Sequence, residues 1–140
     1  MNHVFCIDDD PVTLTLCRIV ILQANFAKNI STASNGEEAI EILKELKSNK
    51  VMPNDSLYPD LIFLDLNMPI MDGWEFLDEF NRSLSDYFSE TKIIILSSSV
   101  DEADRIKAES YPNIMEFISK PIHVKLIKDL ETLLQERKKK

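Results

Sequence analysis

Val4-Phe5-Cys6-Ile7-Asp8-Asp9-Asp10-Pro11 is the stretch that decides the fold: an unbroken apolar run stops at a cluster of acids and a proline. Three later segments repeat the arrangement. Leu61-Ile62-Phe63-Leu64 runs into Asp65, Ile93-Ile94-Ile95-Leu96 into Ser97-Ser98-Ser99, and Glu116-Phe117-Ile118-Ser119 into Lys120-Pro121. Short, uniformly apolar runs between helical stretches are buried strands of a parallel sheet. Ligands of such sheets bind outside the carboxyl ends of the strands. Carboxylates, a hydroxyl and an ammonium far apart in sequence are therefore expected at one edge of one sheet.

Working outward, the strands alternate with helical patterns, which predicts an α/β fold with helices on both faces of the sheet. The first strand spans about His3 to Ile7. Asp10-Pro11 opens a helix to near Gln23, with Asp as N-cap and Pro at the first helical position. A strand of low apolar content, Asn29 to Ala33, suits a sheet edge. The next helix starts at Asn35-Gly36-Glu37-Glu38 and carries the stripe Ala39, Ile40, Leu43 and Leu46. Ser48 to Pro59 reads as an extended loop, and Leu61 to Leu66 as the third strand. A turn-rich loop leads to a helix from Gly73 through Trp74, Phe76, Leu77 and Phe80. Lys92 to Ser97, a weakly apolar helix over Glu102 to Glu109, Ile114 to Ser119, and a helix from Ile122 to Glu136 complete the chain. The last helix shows one face of Val124, Ile127, Leu130, Leu133 and Leu134. Five strands and five helices make a three-layer α/β/α sandwich. The common strand order for an open sheet of this size, 2-1-3-4-5, makes the first and third strands neighbours and sets Asp9 beside Asp65.

The 140 residues fit a single domain, 1–140, and the net charge of −8 argues against a nucleic-acid partner. The basic end Arg137-Lys138-Lys139-Lys140 reads as a solvated last helical turn. No apolar stretch has membrane-spanning length and the start lacks a signal-peptide pattern, so no membrane insertion and a cytoplasmic location are expected. Cys6 and Cys17 fall in no metal-ligand spacing and read as small core residues, with a redox pair as the lesser alternative.

The acids carry the chemistry. Asp8, Asp9, Asp10 and Asp65 repel one another unless a cation binds or a pKa rises. An all-oxygen ligand set points to Mg²⁺, with Mn²⁺ as a substitute. Asp10 is better explained as a helix cap. Asp8 and Asp9 could be loop acids solvated by water, a reading that weakens once Asp65 is adjacent. Neither His3 nor His123 is placed as a catalytic base, which leaves Asp65 as the best nucleophile. A carboxylate can accept a phosphoryl group as an acyl phosphate. Ser97 can donate to a phosphoryl oxygen, and Lys120 can neutralise charge on the transferred group. Spacing alone leaves Lys120 open between a surface lysine and a functional one, and the serines open between turn residues and donors. A cis Lys120-Pro121 bond would aim the lysine into the crevice.

Taken together, Ile7-Asp8-Asp9-Asp10, the segment Leu64-Asp65-Leu66-Asn67-Met68-Pro69-Ile70-Met71-Asp72-Gly73, Leu96-Ser97-Ser98 and Lys120-Pro121 resemble the receiver domain of two-component response regulators, the CheY-like family. The resemblance covers nearly the whole chain and implies a flavodoxin-like fold. It implies Asp65 as phosphoacceptor, Asp9 as direct Mg²⁺ ligand, Asp8 as a mostly water-mediated one, and the Asn67 backbone carbonyl as a further ligand. It implies Ser97 as the switch hydroxyl, Lys120 in a cis bond with Pro121, and Phe117 at the switch aromatic position. Phe117 also reads as a plain core phenylalanine, since it lacks the hydroxyl of a tyrosine. The implied function is a phosphorylation-dependent signalling switch in a phosphorelay. Its phosphoryl donor is a sensor histidine kinase or histidine phosphotransfer protein. Its downstream protein target would meet the face of the fourth helix, fifth strand and fifth helix. The domain would be a monomer or a phosphorylation-dependent dimer, and would catalyse only its own phosphorylation and dephosphorylation. The chain reads as a stand-alone receiver or one excised from a longer protein. It departs from the short family form in the loop Ser48 to Pro59 and in the stretch before Lys92.

Two rival readings remain. Asp8-Asp9-Asp10-Pro11-Val12 also fits the Asp-x-Asp-x-Val motif of haloacid-dehalogenase-type phosphatases, with Asp8 as nucleophile and Asp10 as acid/base. That reading lacks a later acidic pair, because the acids after Lys120, namely Asp129, Glu131 and Glu136, lie in a helix pattern. The second rival is an interaction module that is never phosphorylated.

Overall fold

The structure, a computed structural model, describes residues 1–98 and 101–138. Ser99, the last of the three serines that follow Leu96, and the tail residues Lys139 and Lys140 lie outside the described residues. The strands are β1 (His3–Ile7), β2 (Asn29–Ala33), β3 (Leu61–Leu64), β4 (Lys92–Ser97) and β5 (Ile114–Ser119). The helices are α1 (Pro11–Gln23), α2 (Gly36–Ser48), α3 (Gly73–Ser83), α4 (Glu102–Glu109) and α5 (Val124–Lys138). All strand pairs are parallel, in the expected order β2-β1-β3-β4-β5.

Continuous apolar runs are explained by the two cores they serve. Successive strand residues point to opposite faces. Phe5, Ile7, Ile62, Leu64, Ile93 and Ile95 go to one face, against Ala39, Ile40, Leu43, Phe76, Leu77 and Phe80 of α2 and α3. Val4, Cys6, Leu61, Phe63, Ile94 and Leu96 go to the other, against Cys17, Val20 and Ile21 of α1 and Ile127, Leu130 and Leu134 of α5. Cys6 and Cys17 meet in this second layer as free, buried thiols. Their mutual hydrogen bond and burial push the Cys6 thiol well above its usual range.

Several boundaries differ from the sequence reading, and α5 also runs past the expected Glu136 to Lys138. The expected strand Leu61 to Leu66 stops at Leu64. Beyond it the Asp65 N–H still reaches the Ile7 carbonyl (3.0 Å), while the Leu66 carbonyl turns to the Gly73 N–H (3.0 Å). The last helix begins at Val124, not Ile122. Ile122 is buried in the α1/α5 core, and the His123 Nδ1 accepts the Leu126 N–H at 3.1 Å, capping the helix in place of the usual Ser, Thr, Asp or Asn. At the other end, α2 extends to Ser48, so the extended loop starts at Asn49.

The loop Ser48 to Pro59 and the stretch before Lys92, the two departures from the short family form, pack on each other. Tyr58 is fully buried, with its ring 5.3 Å from that of Phe88. Its hydroxyl donates to the Tyr87 carbonyl (3.2 Å) and accepts the Glu90 N–H (3.3 Å). The Tyr87 hydroxyl donates to the Val51 carbonyl (2.5 Å), and the Thr91 hydroxyl to the Pro59 carbonyl (2.6 Å). Phe88 in turn lies near Phe80 of α3 (6.2 Å), which joins this annex to the main core.

Truncating Tyr58 to Ala should therefore cost about 3–5 kcal/mol, the range for deleting a buried aromatic ring. Tyr58→Phe should cost about 0.5–1.5 kcal/mol, the hydrogen-bond share. Urea unfolding of the two variants beside the parent checks both, and equal small losses would show that the annex is not part of the core.

Candidate phosphoacceptor site

Parallel pairing of β1 with β3, Ile7 opposite Leu64, places the residues that follow them side by side. Carboxylate oxygens of Asp8, Asp9 and Asp65 lie within 4.8 Å of one another. Asp8 and Asp65 are buried and Asp9 is exposed. From the end of β5, the Lys120 ammonium reaches in to Asp8 Oδ2 at 2.7 Å and Asp65 Oδ1 at 3.6 Å. The Lys120-Pro121 peptide bond is cis, and the Lys120 N–H donates to the Ser97 carbonyl at 2.9 Å. Ser97, the last residue of β4, is fully buried.

Asp10 stands apart. One oxygen accepts the Val12 N–H (2.9 Å) and the other the Thr13 hydroxyl (3.2 Å), so it caps α1. Its own N–H donates to Asp8 Oδ1 at 2.9 Å, which fixes the Asp8 carboxylate.

The loop after Asp65 is held by the chain's only two glycines, each needed for close approach. A Cβ on Gly73 would sit 2.5 Å from the Asp65 carbonyl oxygen and 2.8 Å from Leu66 Cα. One on Gly36 would sit 2.8 Å from Met71 Cγ and from the Met71 carbonyl oxygen. Asp72 and Glu75 form a capping box that starts α3. Between these anchors Ile70 has φ 69°, a conformation β-branched residues rarely adopt, and is 73% exposed. Asn67, expected to offer its carbonyl, is exposed, and its N–H bonds the Asp65 side chain.

Burial pushes the Asp65 carboxyl up to about 6, and the Asp8 charge adds to it, against the opposing pull of Lys120 and the Asn67 N–H. Burial pushes the Lys120 ammonium down, but its hydrogen bond to Asp8 and the charge of Asp65 outweigh this and raise it above the usual range. Three ionised carboxylates against one ammonium leave two negative charges in a small space. The donors are all oxygen, the charge is unmet and Asp9 opens the cluster to solvent, so the residues fit a hard divalent cation.

Phe117 is half-buried on β5, packed against the α2/α3 core, with the Arg105 guanidinium 4.8 Å from its ring centroid. Sequence reading missed that cation, along with the buried His3. The His3 ring joins Ser31 Oγ (Nε2, 2.6 Å) to the Ser56 carbonyl (Nδ1, 2.7 Å). His123 is exposed, as expected.

The response regulator receiver domain family matches residues 4–131, so the chain belongs to that family. It is 38% identical over 106 residues to the nitrate/nitrite response regulator protein NarL of Escherichia coli, covering 75% of this chain and 42% of that one. It is 33% identical over 89 residues to the sensor histidine kinase CheAY of Helicobacter pylori, covering 64% of this chain and 10% of that one. The chain thus spans less than half the length of these curated relatives. Among solved structures it is similar to a two-component response regulator from Cytophaga hutchinsonii, with TM-score 0.83, 28% identity and 96% of both chains covered. The Vibrio cholerae chemotaxis protein CheY4, at 22% identity and TM-score 0.71 over 94% of this chain and 98% of that one, shares the fold. The domain is a two-component receiver with a fold suited to a phosphorylation-dependent switch. Among the described residues, no helix is long and apolar enough to cross a membrane.

The raised Asp65 pKa sets a pH dependence. The folded metal-free protein holds a proton at Asp65 up to about pH 6, whereas an unfolded Asp releases it near 4. Between these values the folded state binds more protons, so this contribution to stability is present at low pH and lost as pH rises through about 6. Thermal melts in a chelator should show Asp65→Asn raising Tm at neutral pH and much less near pH 5. An equal gain at both pH values would refute this assignment of the charge strain.

Proposed function

We propose that this domain accepts a phosphoryl group from a phosphohistidine onto Asp65 and thereby acts as a switch in a phosphorelay. The observation that carries the reading is the Asp65 carboxylate at the end of β3, beside Asp8 and Asp9 on one side and the Lys120 ammonium 3.6 Å away on the other. An Asp65 oxygen attacks phosphorus in line with the phosphorus–nitrogen bond. As the new phosphorus–oxygen bond forms, that bond breaks and the histidine nitrogen keeps the electron pair. Lys120 neutralises charge on the transferred oxygens, and the Ser97 hydroxyl and the Asn67 N–H serve as donors to them. Asp8, Asp9, Asp65 and the Asn67 carbonyl would hold Mg²⁺, or Mn²⁺, which supplies charge neutralisation and orientation when bound. The domain's chemistry is confined to its own phosphorylation and dephosphorylation, and a cytoplasmic location fits it.

The donor class also has a surface to meet. Val12, Leu16, Ile19 and Leu22 follow one another at helical spacing along α1 and are 73%, 37%, 47% and 55% exposed. Pro11, Val12, Thr15, Leu16 and Ile19 line a shallow groove there. The face begins right after Asp10, at the lip of the acid cluster. It suits the apolar side of a helix on a histidine kinase or phosphotransfer protein. The downstream target would use α4, β5 and α5 and so bind without competing for α1. The phosphatase alternative is disfavoured because the Asp10 oxygens are committed to capping α1.

Asp65→Ala should abolish labelling by acetyl phosphate or by a phosphorylated donor, with labelling of the parent protein lost in chelator. Gel autoradiography and mass-spectrometric mapping of the acyl phosphate check this. Label retained on the variant, or mapped to Asp8, would end the assignment.

A further inference from the structure

Of all the helices, α4 is the one most weakly tied to a core: Ala108 is its one buried residue, and Ile106 is 59% exposed. Its lateral contacts are of another kind. The Arg105 guanidinium lies over the Phe117 ring at 4.8 Å, and its Nη1 donates to the Phe117 carbonyl (3.4 Å) on the sheet-edge strand β5. The Lys107 ammonium lies over the Trp74 ring of α3 at 4.6 Å. Trp74 stacks on Tyr111, with centroids 5.5 Å apart, and the Tyr111 hydroxyl donates to Asp78 of α3 at 2.8 Å. Burial and the Asp78 carboxylate push that phenol up to about 12, so it stays a donor at neutral pH.

These contacts join α4 to both flanking elements, and both lead to the site. The α4 N-cap, Asp101, follows Ser97 by four positions, and Phe117 precedes Lys120 by three on the same strand. We propose that Arg105 and Lys107 are positioning residues that clamp α4 in its resting place through the ring faces of Phe117 and Trp74, and thereby set how readily the domain switches. This rests on the reading of the domain as a phosphorylation switch. The clamp holds Phe117 where it is. Any displacement of α4 or of the Phe117 ring must take a cation off an aromatic face. Each exposed contact of this type is worth a factor of about 2–5 in an equilibrium constant.

The test uses the full chain with Arg105→Gln/Lys107→Gln, alongside Arg105→Lys/Lys107→Arg, which keeps both cations. The substituted side chains, Arg105 and Lys107, are both exposed, so folding should be unaffected. Amide hydrogen exchange without any phosphodonor should speed up about 4- to 25-fold in α4 alone for the glutamine pair, and little for the conservative pair. Calorimetric titration with beryllofluoride and Mg²⁺ should show the glutamine pair binding up to about 4- to 25-fold tighter, because less of the protein is held in the resting state. Unchanged α4 exchange would overturn the clamp. Faster exchange with unchanged beryllofluoride affinity would overturn its role in switching. Failure of the parent protein to bind beryllofluoride would overturn the switch reading and the coupling with it, while the exchange data would still show separately whether the clamp exists.

Discussion

The pairing of β1 with β3 is the constraint on which the rest depends. It forces Asp8 and Asp65, which electrostatics would keep apart, into shared, largely buried space. Water is too scarce there to screen them, and Lys120 supplies one positive charge where more is needed. The cost appears in Asp65, whose carboxyl is held up near 6. A site that destabilises its own empty form is poised to bind a cation and to change when further charge arrives. The two-sided apolar core makes this tolerable. The central strands β1, β3 and β4 are buried on both faces, which holds the ends of β1 and β3 together against the repulsion.

Rigidity is unevenly distributed around that site. On one side, Gly73 lies against the Asp65 carbonyl, Gly36 against Met71, and a capping box starts α3 at once. That loop is pinned at both of its ends. On the other side, β4 leads into a helix with a single buried residue. The acid cluster thus sits between a clamped wall and a loosely held one, and strain generated at Asp65 has one direction in which to be relieved.

Much of this was legible in the chain. Apolar runs ending on polar residues gave the strands and their functional ends. The alternation with helices gave the parallel sheet, the common order for an open sheet of that size, 2-1-3-4-5, is the one observed, and Asp10-Pro11 gave the α1 cap. What escaped reading has a common physical cause: it depends on partners distant in sequence whose residue types point the wrong way. Tyr58 lies in a proline-bearing polar loop, and only Phe88, Tyr87 and Glu90 of the other long connection make it core. His123 caps a helix although histidine is not among the preferred caps. Spacing could not decide whether Lys120 faces solvent, because that depends on Asp8 and Asp65 more than fifty residues upstream. Apolar counting read α4 correctly as weak, but it scores Arg105 and Lys107 only as solvated charges. Their stems and cationic heads cover rings on α3 and β5.

The kind of contact that holds α4 matters as much as its number. A helix anchored by two buried leucines would resist displacement by about 2–5 kcal/mol for each. A transferred phosphoryl group could not readily overcome that, since a charge-assisted hydrogen bond contributes about 1.5–3 kcal/mol. Two exposed cation–π contacts amount to about 1–2 kcal/mol together. That sum is large enough to favour one position of α4 at rest. It is also small enough for one or two new bonds at the site to reverse. The low apolar content of α4 then follows from what a switch requires: its position must be set by interactions no stronger than the signal that changes it.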